Sequence, residues 1–307
     1  MTAQRAAQAS VATALLLGGL KAWAVARTGS VAVLASLADS GLDLVASLVT
    51  LLGVHWAAQP ADAEHRFGHG KAEALAALFQ VGVIAVSAFA ILLRAIERLV
   101  RHQAGTDAEV GIGVSLVAIV LTLLLTRYQR AVVARTRSVA IGTDNIHYES
   151  DLFLNGAVIA ALALDQYFGW RGADALFGIG IALWLMWGAW RASVQAIDQL
   201  MDKEWSAEKR ARFVEVAGRH PELLGLHDLR TRTSGQQDFV QFHVWMDGRM
   251  SVAEAHDITE RLEAHLAEEF PGTEILIHID PEGQVDEPGN ALAETDLLNP
   301  PAPGPDA

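Results

Sequence analysis

The 307-residue chain has no cysteine, so disulfides and thiolate metal ligands are excluded and nothing in it marks a redox compartment. Charge is also scarce. Only 19% of residues are Asp, Glu, Lys or Arg, and they are sparse before Asp198 and dense after it. A chain that is 51% hydrophobic with its charge denser toward one end is a membrane portion followed by a soluble portion. A basic excess is missing too: the net charge is −13 and the pI about 5.2, with the acidic surplus mainly in the C-terminal third, which argues against a nucleic-acid partner. The N-terminus imitates a signal peptide, with Arg5 before the apolar run from Val11 to Leu20 and Ala24-Val-Ala26 in the place of a cleavage site. The basic region is weak and more apolar runs follow at once, so this segment is taken as a first span.

Six stretches reach roughly the ~20 residues that a membrane span requires, at about 8–27, 31–58, 71–100, 109–127, 138–168 and 173–197. An even number puts both termini on one side. Arg127, Arg130, Arg135 and Arg137 crowd the fourth connection, and Arg66 and Lys71 flank the second; the positive-inside bias therefore places both termini in the cytoplasm, against a smaller set of Arg27, Arg98, Arg101 and Arg171 outside. Residues 1–200 form the six-helix transmembrane domain on this reading.

Two of the spans carry what a membrane helix should not. Asp39 and Asp43 lie in the second, four residues apart and so on one helix face, and His147 and Asp151 repeat that spacing in the fifth. Ionisable groups at membrane depth are costly, and paired carboxylates repel unless a cation or proton lies between them. With a helix rise of about 1.5 Å per residue, Asp39 and Asp43 fall roughly 12 and 18 Å below the outer surface, and His147 and Asp151 roughly 17 and 11 Å below the same surface. Four groups at one depth make a quartet. Three carboxylates and an imidazole suit a borderline divalent ion, Zn2+ first, with Fe2+, Cd2+ and Mn2+ admissible. The inner half of the fifth span is polar at Gly142, Thr143, Asp144, Asn145 and Glu149, which reads as the lining of a water-filled cavity. Gly111, Gly113, Gly178, Gly180 and Gly188 fit close helix packing or are ordinary membrane-helix glycines.

Outside the spans, Asp62, His65 and His69 in the second connection can wrap a metal locally, though the motif is short. After Arg191 the pattern becomes that of a compact α+β unit over 201–283, with helices over 206–219 and 252–269, strands over 226–233, 239–245 and 274–280, and a hairpin turn at 234–237. It holds His227, His243, His256 and His278 with Asp228 and Asp280, either a shared metal site or four separate surface histidines. Residues 284–307 are rich in Pro, Gly, Asp and Glu and read as a disordered acidic tail.

The motifs Leu37-Ala-Asp-Ser40, Phe67-Gly-His-Gly-Lys-Ala-Glu73, His147-x3-Asp151 and His227-Asp-Leu-Arg-Thr-Arg232 together resemble the cation diffusion facilitator family, most closely its bacterial zinc and ferrous-iron efflux members. The resemblance covers nearly the whole chain. It implies a homodimer in the bacterial inner membrane, six transmembrane helices with a cytoplasmic metallochaperone-like α+β domain, and transport by alternating access. The family's transport site falls on Asp39, Asp43, His147 and Asp151, its loop site on Asp62, His65 and His69, and its cytoplasmic binuclear site on His227, His243, His256, His278 and Asp280, with Asp280 bridging. A charged interlock of the family falls on Lys71 and Asp202, where the stretch from Leu200 to Glu204 matches loosely.

The expected function is export of a divalent metal in exchange for protons, with His147 carrying the proton because a protonated imidazole cannot bind metal. The alternatives are an exporter selective for Mn2+ or Fe2+, a membrane metal sensor that transports nothing, and an intramembrane metalloenzyme. The last is disfavoured by the lack of an HExxH run and of a Glu poised as a base.

Overall fold

The computed structural model describes residues 2–28, 31–101, 109–168, 173–284 and 296–299. The chain divides into two units, Met1–Asp198 and Gln199–Ala307. In the first, all six apolar stretches are helices: α1 (Ala3–Thr28), α2 (Val31–Ala57), α3 (Ala72–Arg101), α4 (Glu109–Thr136), α5 (Val139–Phe168) and α6 (Ala173–Leu200), whose last two residues belong to the second unit. The largest difference from expectation is in α4, which runs to Thr136 instead of ending at 127. Its apolar run stops at Arg127, but Gln129, Arg130 and Ala131 are good helix formers, so the helix outlasts the hydrophobic stretch. Hydropathy marks the bilayer and not the end of the helix.

Among the described residues, α1, α2, α3, α4 and α6 contain stretches long and apolar enough to cross a membrane. The described part of α5, whose inner half is polar, is not in that set. Leu16, Trp56, Val86, Phe89, Leu124 and Trp187 are exposed on the outside, while Ser10, Gln80, Gln129 and Asp144 are buried inside. That inversion suits a lipid solvent. Helix α1 packs against α2 and α4, α2 against α3, and α5 against both α3 and α4. Helix α6 is admitted by two glycines, since an added Cβ at Gly178 would lie 3.1 Å from Ala95 of α3 and one at Gly188 would lie 3.1 Å from Ile146 of α5. Gly180 faces open space, and the surroundings of Gly111 and Gly113 lie outside what is described.

The second unit contains α7 (Ala207–Ala217), β1 (Gly225–Ser234), β2 (Gln237–Met246), α8 (Val252–Glu269) and β3 (Thr273–Pro281), close to the expected boundaries. The sheet order is β1-β2-β3. Strands β1 and β2 are an antiparallel hairpin turned at Gly235, whose φ of 62° favours glycine, and β3 returns parallel to β2 after the α8 crossover. Alternate residues of β2 (Val240, Phe242, Val244 and Met246) face Phe213 and Val216 of α7 and Ile258, Leu262 and Leu266 of α8. The ladder breaks between His227 and Arg230, with Asp228 at φ 48°, a left-handed value that Asp tolerates. The bulge switches parity, so that Leu226 points into the core before it and Leu229 and Thr231 after it, leaving His227 on the other face.

Helix α8 opens with a capping box: Ser251 Oγ accepts from the Glu254 amide at 3.3 Å, and Glu254 Oε2 accepts from the Ser251 amide at 2.8 Å. The backbone and hydroxyl donors of Ser251 hold the Glu254 carboxyl below its ordinary 4.5. A depressed folded pKa stabilises the fold above the unfolded value and loses that effect as pH falls through the folded one. Loss of the N-cap hydroxyl in Ser251→Ala should cost about 1 kcal/mol, and thermal melts should show its deficit shrinking when the pH is taken below Glu254's folded pKa.

The expected tail is not wholly without structure. Residues 296–299 are packed on the second unit, with Leu297 and Leu298 against its core, because two leucines beside the hairpin edge can bury apolar surface that the acidic composition concealed. The other residues from 285 on lie outside those described.

Candidate functional site

Within the first unit, α2 and α5 bring Asp43, His147 and Asp151 together, with one potential ligand atom from each lying within 4.8 Å of the others. His147 Nε2 stands 2.9 Å from Asp43 Oδ1, and its ring is almost fully buried. One turn earlier on α2, Asp39 is exposed and outside this group. The structure therefore assembles three of the expected four ligands and leaves Asp39 apart. Two carboxylates and one imidazole offer a divalent cation both charge neutralisation and a nitrogen donor. Beside them, Lys21 Nζ of α1 donates to Ser40 Oγ at 2.6 Å.

In the inner half of α5, expected to line a water-filled cavity, Asp144 and Asn145 are buried against neighbouring helices. Asp144 is fully buried, and its carboxylate accepts from Ser10 Oγ of α1 at 2.6 Å, Gln129 Nε2 of α4 at 2.7 Å and Gln80 Nε2 of α3 at 3.2 Å. Asn145 Nδ2 donates to Thr126 O at 3.1 Å and to Gln129 Oε1 at 3.2 Å. Tyr148, next to His147, donates its hydroxyl to Ser10 O at 3.1 Å and lies 2.9 Å from Ser47 Oγ of α2. These polar groups tie helices together because interhelical partners satisfy what lipid cannot. Ser10, Gln80 and Gln129 had no spacing signal. Buried polar residues on three separate spans were the only available hint.

The loop triad forms as well. Asp62 Oδ1 lies 3.3 Å from His65 Nδ1, and Asp62 Oδ2 lies 3.3 Å from His69 Nε2. The backbone amide of His65 holds the Asp62 carboxyl below its ordinary value, so it is anionic at neutral pH. His69 Nδ1 is buried without a hydrogen-bond partner.

In the second unit, His227, His243 and His278 are direct cross-strand partners, one on each strand, and share a face. His243 Nδ1 is 2.9 Å from Asp280 Oδ2, His227 Nε2 is 3.3 Å from the same oxygen, and His278 Nε2 is 3.3 Å from Asp280 Oδ1. Asp228, turned outward by the bulge, adds an oxygen 3.8 Å from His243 Nε2. Both ring nitrogens of His227 are buried and neither has an aligned hydrogen-bond partner. Burial, then the neighbouring His243, holds its pKa below the ordinary 6.5 against the pull of Asp280 and Asp228, leaving the ring neutral with a free lone pair. Unsatisfied buried nitrogens around one carboxylate fit a metal ion. His256 is the exception. It is exposed on α8 and 3.3 Å from Glu260, so the cluster gathers four of the five expected residues. Lys71 belongs to the first unit and Asp202 to the second, where Asp202 lies 3.6 Å from Arg232.

A helical membrane unit whose second and fifth helices bring metal-ligand groups together, followed by an α+β unit, has the make-up of a metal-cation transporter. The comparisons name the kind. The chain matches the cation efflux transmembrane domain over residues 7–201 and the cation efflux protein cytoplasmic domain over residues 205–282. It is 43% identical to the cation-efflux pump FieF of Salmonella arizonae over 277 residues, 90% of this chain and 92% of that one, and 45% identical to the cation-efflux pump FieF of Yersinia pestis over 276 residues, with the same coverage. The metal-bound C-terminal domain of the CzcD transporter from Thermotoga maritima is 26% identical over 27% of this chain and 99% of that one, with a TM-score of 0.25. The chain belongs to the cation efflux family and is a multi-pass membrane protein.

Proposed function

We propose that the protein exports a divalent metal ion, Zn2+ foremost with Fe2+ and Cd2+ as further substrates, from the cytoplasm in exchange for protons. The observation that carries this reading is the meeting of Asp43, His147 and Asp151 from two helices inside a membrane domain. Asp39, one turn along α2, is the fourth ligand in the loaded state. Proton and metal compete for the His147 ring, and alternating access exposes that competition first to the inside and then to the outside. The chain works as a homodimer in the bacterial inner membrane with both termini cytoplasmic. Asp62, His65 and His69 bind metal at the loop.

The cytoplasmic cluster is a metal sensor. His227, His243, His278 and Asp280 would hold the ion, which would tie three strands together. The orphaned nitrogens of His227 support this assignment. Sensing requires that the ion bind one state of the transporter better than the other. Pairing His243→Ala with Asp280→Ala should shift the metal concentration for half-maximal transport upward without abolishing flux at saturation, and an unchanged dose response would refute the role.

The decisive test is uptake into proteoliposomes carrying a pH gradient, comparing Zn2+, Fe2+, Cd2+ and Mn2+. Saturable flux that collapses when the gradient is dissipated supports the antiporter. Binding of several ions with movement of none would replace it with the non-transporting sensor.

A further inference from the structure

The described residues near the C-terminus make contacts that neither transport nor metal binding has so far used. Asp296 Oδ1 accepts from the Leu226 amide at 3.2 Å and from the Leu298 amide at 3.0 Å, and the Leu297 amide donates to Leu226 O at 2.7 Å. Leu226 thus spends both its backbone groups on this segment, on the edge strand of the sheet. Leu297 and Leu298 pack against the domain core.

One glycine makes room for it: a Cβ at Gly218 would lie 2.7 Å from Leu298 Cδ2. At Gly225 the tighter neighbour is Trp245, whose Cε3 would lie 2.5 Å from an added Cβ, with Asp296 Oδ1 at 3.2 Å. Gly218 has φ −66° and ψ −10°, values that any residue adopts, so a side chain there meets no backbone strain and its first effect is to displace the Leu298 methyl.

The bulge separates Gly225, Leu226 and His227 from the rest of β1, so this three-residue end is held by β2 on one side and by residues 296–299 on the other. It carries His227, whose ring lies 4.9 Å from that of Trp245 and 5.2 Å from that of His243. Trp245 Nε1 in turn donates to Gln284 O at 2.7 Å. A ligand next to a bulge is oriented only as well as its backbone is pinned.

We propose that residues 296–299 are an intramolecular clip that sets the position of His227, so that docking of the clip and binding of metal at His227, His243 and Asp280 favour each other. This rests on the reading of that cluster as a metal site. Coupling of two events is reciprocal: if the clip raises metal affinity, metal must tighten the clip by the same factor.

The test uses the full-length protein in detergent, with Zn2+ as the only probe. Equilibrium Zn2+ binding is compared for the wild type, a chain ending at residue 290 that keeps Gln284, the variant Gly218→Ala, which keeps the tail but displaces Leu298, and His243→Ala. Amide hydrogen exchange at Leu297 and Leu298 is followed with and without Zn2+. The expected result is that His243→Ala removes one class of sites. Truncation and Gly218→Ala each weaken that class about 10-fold, the lower end of what groups behind a metal ligand contribute. Zn2+ should slow exchange at Leu297 and Leu298 in the wild type and not in His243→Ala. If His243→Ala removes the sites while truncation and Gly218→Ala bind as the wild type does, the clip is wrong and the metal site stands. If His243→Ala removes nothing, the metal site is wrong and the clip has no role at it.

Discussion

His147→Ala should leave a folded protein in which metal flux is reduced at least about 100-fold, the upper end of what loss of a supporting group costs a metal site and therefore a lower bound for loss of a ligand. The residual flux should no longer depend on a pH gradient. The ring is the sole nitrogen donor of the trio, and it is also the group whose lone pair a proton and a metal ion cannot share. Asp151→Ala should be equally severe for flux, but what little survives should still respond to the gradient. Uptake into proteoliposomes with the gradient imposed or dissipated separates the two variants. A His147→Ala protein transporting at the wild-type rate would remove the trio from the transport path.

Asp144→Ala should be the most damaging substitution for the fold of the membrane unit. It would remove three hydrogen bonds at about 1 kcal/mol each, about 3 kcal/mol together, and deprive Gln80 Nε2 of its carboxylate acceptor, while Ser10 Oγ keeps Ala6 O at 3.1 Å and Gln129 Nε2 keeps Ser10 Oγ at 2.9 Å. Asp144→Asn keeps one oxygen and the shape but turns an amide toward donors, so its loss should be about 1 kcal/mol, the value of a single hydrogen bond. Thermal unfolding in detergent should rank wild type above Asn above Ala. Equal melting of all three would mean that the polar contacts among α1, α3, α4 and α5 contribute nothing net.

What the sequence made legible differs sharply between the two kinds of polar residue in α5. His147 and Asp151 could be paired with Asp39 and Asp43 because i,i+4 spacing and span depth are one-dimensional facts, recoverable from helix rise and bilayer thickness. Even so, the geometry gathers three of those four, since one turn of α2 separates Asp39 from Asp43 and only packing decides which of them faces α5. Asp144 carried no such signal. Its partners lie on three other helices at separations of 134, 64 and 15 residues, so only the arrangement of the bundle reveals that it joins them. In the second unit, alternation and turn chemistry gave the elements nearly to the residue. The bulge at Asp228 was invisible, and with it the parity change that sends His227 and Leu229 to opposite faces. His256 shows the reverse limit, for a motif can assign a residue to a site that one folded chain does not bring to it.

The row of His227, His243 and His278 across three strands has a consequence for how this domain can change over evolutionary time. Each strand contributes its histidine at a fixed count from a turn or crossover, so the cluster is indifferent to many point substitutions yet intolerant of length. One residue gained or lost between Arg230 and His243, if absorbed within a strand, would send an imidazole into the packed interior and a leucine or valine into the place of a ligand. Insertions that survive in this domain should therefore accumulate in the segment after α8 only when whole turns are added, and hardly ever in the hairpin around Gly235.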